Sequence, residues 1–96
     1  MLIGNLYQNA SPDKIKLQQV YKEDRFHVVQ LQIRKDEILK PHHATTDALL
    51  IVVEGAIVFN LHDEKFHLQK GDMLHFKKNE IHSVQALEDS MVLIIK

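Results

Sequence analysis

The sequence predicts an all-β fold, a sandwich or closed barrel of about eight or nine short strands. Apolar residues alternate with polar ones at period 2, as where Val29, Leu31 and Ile33 interleave with Gln30, Gln32 and Arg34. Turn-forming clusters recur at intervals of roughly 8–12 residues. No stretch sustains a helical period.

Met1 to Ser11 is mixed, with Gly4, Asn5 and Asn9, and is expected to form an arm or a short strand. Ile15 and Leu17 alternate with Lys14, Lys16 and Gln18, which predicts a half-buried strand ending before the polar turn Lys22-Glu23-Asp24-Arg25. Phe26 to Arg34 is the next strand, followed by the turn Lys35-Asp36-Glu37. Ile38 and Leu39 lead into a histidine-bearing segment. Ala48 to Val53 has no polar alternation, so both of its faces must be covered, the outer one by a second layer or a second subunit. Glu54-Gly55 turns the chain into Ala56–Leu61. His62-Asp63-Glu64 turns it again into a strand with Phe66 and Leu68 on one face. Past Lys70-Gly71-Asp72 come Met73–Phe76, a loop over Lys77–Glu80, Ile81–Ala86, a turn at Leu87-Glu88-Asp89, and Met91–Ile95. With only 3 glycines and 2 prolines, the tight turns fall to Asn and Asp, which tolerate positive φ.

At 96 residues the chain is one domain, divided here into an arm with the first strand (1–25) and a barrel (26–96). It has no cysteine, which rules out disulfides, thiolate metal sites and thiol catalysis, and fits a cytosolic setting. The net charge is -1 with both signs interspersed, so no basic block offers itself to nucleic acid or to an anionic membrane. No charged leader precedes an apolar core, and the longest apolar run falls far short of the ~20 residues of a spanning helix. The expectation is a cytoplasmic protein without a signal peptide. There is no G-x-S-x-G elbow and no glycine-rich phosphate loop.

Chemistry concentrates in two histidine islands. One reads Lys40-Pro41-His42-His43-Ala44-Thr45-Thr46-Asp47, and the other runs from Lys70-Gly71 through His75 to Lys77-Lys78-Asn79-Glu80-Ile81-His82. Strand pairing can bring His42 and His82 together inside a small barrel, where imidazoles serve a metal or an acidic ligand. His43 would face away from His42 along a regular strand, and could join it only across a bulge or loop. Asp47 is the nearest carboxylate. His27, His62, His67 and His75 are read as solvent-facing or partly buried sheet residues. Met73, Met91 and Phe76 are read as barrel core, with a cavity lining as the alternative.

The two islands resemble the paired motifs of the cupin superfamily, over about residues 26–96. Motif one is written G-x5-H-x-H-x3/4-E-x6-G. Anchored on Gly55, it puts the histidines at His42 and Ala44 and the glutamate at Ala48. Motif two, G-x5-P-x-G-x2-H-x3-N, anchored on Gly71, puts its proline at Lys77, its second glycine at Asn79, its histidine at His82 and its asparagine at Ala86. The resemblance implies a double-stranded β-helix or jelly-roll barrel of about nine strands, RmlC-like, with a degenerate metal motif. The usual cupin ligand set is three histidines and a glutamate on a divalent metal. Here His42 and His82 fall on ligand positions, with His43 or Asp47 as the third ligand if there is one.

Two functions follow. One is a non-catalytic, sensor-like protein binding a small molecule in a pocket of His42, His43, His82 and Asp47. The other is a metal-dependent enzyme of the dioxygenase or isomerase kind. Iron, manganese, nickel or zinc at His42 and His82, and no metal at all, both remain open. The outward apolar face of Ala48–Val53, with Met91–Ile95, predicts a homodimer.

Overall fold

Two antiparallel sheets pack face to face. The computed structural model describes residues 1–96. After a 3-10 turn at Leu6–Asn9, nine strands follow: β1 Ile15–Lys22, β2 His27–Ile33, β3 Ile38–His43, β4 Ala48–Glu54, β5 Ala56–Leu61, β6 Glu64–Gln69, β7 Met73–Phe76, β8 Ile81–Ala86 and β9 Ser90–Ile95. One sheet has the order β1-β2-β9-β4-β7, the other β3-β8-β5-β6. This is the jelly roll, and the absence of any α-helix agrees with the period-2 patterning.

Alternation decides what each strand buries. On β4, Ala48, Leu50 and Val52 point inward and are buried, while Leu49, Ile51 and Val53 are half-buried on the outer face. Leu31 and Ile33 of β2, Val92 of β9, Phe76 of β7, Ile57 and Phe59 of β5, and Val84 and Ala86 of β8 complete the core between the sheets. Three non-glycine residues take positive φ: Asp36 (69°), His62 (54°) and Asn79 (71°). Two are the Asn and Asp expected at such turns, and the third is a histidine.

Of the two forms expected for the N-terminal segment, an arm or a short strand, the strand is not the one it takes. It closes a 3-10 turn capped by the Asn5 side chain, which accepts from the Tyr7 N–H at 2.8 Å. The segment lies on the outer face of β2. Gln30, at a position alternation assigns to solvent, is fully buried beneath it. Its amide donates to the Leu6 carbonyl and accepts from the Asn9 side-chain amide, both at 2.9 Å. Gln32 donates to the Asn9 carbonyl at 2.7 Å. A polar strand face is thus covered without leaving these amides unpaired.

β3 is an edge strand, and it carries the first histidine island. Its pairing with β8 slips between Leu39 and His42, where Lys40 and Pro41 bulge out of register. On the far side of that bulge His42 lies directly opposite His82.

Candidate functional site

A cavity of about 310 Å³ opens between the sheets at the end where β3, the loop that follows it and β8 meet. Its floor is apolar, with Leu50 of β4, Phe59 of β5, Phe76 of β7, Val84 of β8 and Ile94 of β9. Its polar lining consists of His42, His43, Thr45, Thr46, His82 and Lys96. No carboxylate lines it.

His82 is the buried member of the histidine pair. Its ring lies 4.1 Å from the His42 ring, centroid to centroid and edge-on, 4.5 Å from Phe76 and 5.6 Å from Phe59. Burial disfavours the imidazolium and lowers its pKa. The hydrogen bond to the Glu80 carbonyl opposes that shift, while the charges of His42 and Lys96 add to it.

Both rings are held by their Nδ1 atoms. Nδ1 of His42 lies 2.9 Å from the Lys40 carbonyl oxygen, and Nδ1 of His82 lies 3.2 Å from that of Glu80. A carbonyl only accepts, so each Nδ1 carries the proton, and in a neutral ring Nε2 is left as a bare lone pair.

The loop Lys77–Glu80 is laced to the first island by main-chain bonds. Ala44 N–H donates to the Glu80 carbonyl at 3.1 Å, and Asn79 N–H donates to the Ala44 carbonyl at 2.8 Å. The Glu80 carboxylate accepts the Lys77 N–H at 2.7 Å and pairs with His62 Nε2 at 3.0 Å. The Lys77 bond, with His62 adding to it, holds the Glu80 carboxyl below its ordinary pKa. Glu80 thereby fixes the loop that positions His82, a role its place in the sequence did not announce.

The bulge sets Leu39 and His42 on one face, opposite Val84 and His82. His43 is the last residue of β3, paired with Ile81, and reaches the cavity lining from the strand end, with Nδ1 3.3 Å from the Asn79 carbonyl oxygen. Asp47 is exposed and is not part of the lining. Its carboxylate accepts the Lys78 N–H at 2.8 Å and holds the loop after β7. Met73 is exposed and Met91 is buried away from the cavity, so only Phe76 of that trio lines it. Phe59, Thr45, Thr46 and Lys96 line the cavity as well. The alternation Val92, Ile94, Lys96 carries the inward face of β9 one residue past the strand and is the sequence signal for the lysine.

The donor set does not fit a three-ligand metal centre. No group of three or more His, Cys, Asp or Glu side chains is gathered closely enough to hold an ion. His42 and His82 supply two imidazoles, with Asp47 committed to the loop.

Residues 27–95 match the cupin domain family, and the chain belongs to it. Over 83 residues it is 34% identical to the pectin degradation protein KdgF of Dickeya dadantii (strain 3937), covering 85% of this chain and 76% of that protein. The solved structure of KdgF from Halomonas sp. aligns with a TM-score of 0.80 at 26% identity, over 90% of this chain and 81% of that one. An RmlC-like cupin from Desulfovibrio desulfuricans aligns at 0.87 and 22% identity, over 99% and 94%, which speaks to the fold alone. No helix is long and apolar enough to cross a membrane.

One prediction concerns pH. The folded pKa of His82 lies below its unfolded value near 6.5. Between those two values the unfolded chain holds more protons, so stability rises with pH there. It falls as pH drops below about 6.5, until the folded ring also protonates. The Glu80 contribution is lost later, as pH falls from its ordinary 4.5 through its lowered folded value. Urea unfolding between about pH 7.5 and 5 should show the first decline, and His82→Leu should flatten it. A decline of equal size in the variant would exclude His82 as its source.

Proposed function

We propose that this cupin binds a small molecule in the cavity beside His42 and His82 and does not turn it over. The observation that carries this is an apolar cavity with two anchored imidazoles at its polar end and no group of three donor side chains gathered closely enough to hold a metal ion. Pre-formed concave sites with an apolar floor and few convergent polar groups are the usual form of ligand sites. The absence of cysteine fits the cytoplasmic setting that goes with this reading.

A second reading is a divalent-metal enzyme of the dioxygenase or isomerase kind, using iron, manganese, nickel or zinc. The Nδ1-to-carbonyl bonds favour it, since metal-binding histidines are commonly held that way. The likeness to a pectin degradation protein favours it too. Elemental analysis of tag-free protein separates the two. The binding reading expects substoichiometric metal. A full equivalent, abolished singly by His42→Ala and by His82→Ala, would replace it with the enzyme.

We propose further that the protein is a homodimer. The outward residues Leu49, Ile51, Val53, Leu93 and Ile95 form an uncharged, half-buried face. Beside it Met73 is 66% exposed, and in the arm Leu2 and Ile3 are 90% and 69% exposed. Contiguous exposed apolar surface of this kind marks contact sites. A monomer in sedimentation equilibrium at micromolar concentration would remove the dimer.

A further inference from the structure

Every ionisable group in the cavity lining is a base: His42, His43, His82 and Lys96. Lys96 is the one ammonium among them. Its backbone is fixed by a two-way exchange with His27, the Lys96 N–H donating at 2.9 Å and the Lys96 carbonyl accepting at 2.6 Å. That exchange continues the inward alternation of Val92 and Ile94. Lys96 enters none of the chain's side-chain ion pairs, so no Asp or Glu carboxylate answers its ammonium. The cavity therefore presents an unneutralised cation above an apolar floor, a combination that selects an anion with an apolar body.

The imidazoles ask for something different. With both Nδ1 protons spent on the Lys40 and Glu80 carbonyls, the neutral rings offer Nε2 as acceptors. A carboxylate oxygen placed there would set lone pair against lone pair. A hydroxyl would be satisfied, because it donates.

We propose that the ligand is a small hydroxy acid with an apolar body. Its carboxylate pairs with Lys96, its hydroxyl donates to the His42–His82 pair, and its apolar part rests on Leu50, Phe59 and Phe76. At about 310 Å³ the cavity lies at the small end of ligand sites, which limits the ligand to one ring or a short chain. The proposal rests on the cavity being a binding site, and its test separates the two claims.

The probe is 3-phenyllactate, titrated calorimetrically into the full chain. Two analogues each lack one group: 3-phenylpropionate has no hydroxyl, and the neutral 3-phenylpropane-1,2-diol has no carboxylate. The hydroxy acid should bind about 10-fold or more tighter than the diol, the scale of a hydrogen bond to a charged group, and about 2- to 10-fold tighter than phenylpropionate, the scale of a neutral one. Lys96→Met should erase its advantage over the diol and leave diol binding unchanged. Lys96→Gln keeps most of the stem and should do the same, which covers a failure of the first variant to fold. Equal binding of acid and diol, or no effect of either lysine variant, overturns the acid while the binding site stands. Equal binding of phenyllactate and phenylpropionate overturns the hydroxyl contact. If all three compounds fail to bind at millimolar concentration, the binding site itself is overturned.

Discussion

Phe59→Ala is expected to lower stability by about 3–5 kcal/mol, the range for deleting a buried aromatic ring. Phe59 is fully buried. Its ring lies 5.3 Å from Phe76 and stacks on His82 at 13° between planes, so one truncation strips contacts from both neighbours. The void cannot collapse, because β5 is hydrogen-bonded to β6 on one side and β8 on the other. It would instead merge with the existing cavity, whose floor Phe59 forms. Proteins of this size hold only about 5–14 kcal/mol in total, so the variant should sit near its unfolding threshold. Urea unfolding, read as a shift of midpoint at constant slope, measures the loss. A loss under about 1 kcal/mol would mean that the ring is not packed as described.

Gly55→Ala should cost about 2–5 kcal/mol, by strain in the left-handed region and by overpacking together. Gly55 has φ +86°, and a Cβ there would collide with the Ser90 hydroxyl and come within 2.5 Å of the Asp89 carbonyl oxygen. The Ser90 hydroxyl cannot simply step aside. It accepts the Ala56 N–H at 3.1 Å, and its proton faces the Glu88 and Ala56 carbonyls at 2.7 and 3.1 Å. Gly71 is the internal control, with φ +91° but nothing within 4 Å of a Cβ. Gly71→Ala should therefore cost only about 1–2 kcal/mol, from strain alone. The difference between the variants' unfolding free energies isolates the collision. Equal losses would show that the Ser90 contact carries no weight.

Most of the barrel was legible because its strands keep strict alternation between unmistakable turns. Ala56–Leu61, Met73–Phe76 and Ile81–Ala86 begin and end where the pattern does. Registering both islands on Gly55 and Gly71 paired His42 with His82, and the two are cross-strand neighbours. What escaped depended on contacts distant in sequence or on broken alternation. Gln30 reads as solvent-facing, and only the 3-10 turn packed over it makes it core. His43 reads as facing away from His42 along a regular strand, and it joins the lining from the last position of β3, where the strand gives way to a loop. Asp47 reads as a candidate ligand from its proximity in sequence, yet its carboxylate is engaged by the Lys78 N–H. Lys96 follows the last apolar residue of β9 and reads as a strand end, although its side chain is the cavity's cation.

The bulge at Lys40 and Pro41 has a consequence for how these molecules behave in a crowd. An edge strand offers a row of free main-chain groups on which another chain can add itself, the first step of sheet aggregation. β3 is such an edge, and it flanks the open end of the barrel. Proline has no N–H to offer an incoming strand, and the out-of-register pair next to it kinks the template. The irregularity that sets His42 opposite His82 therefore also guards the rim against strand addition, and keeps the cavity mouth clear of neighbouring chains.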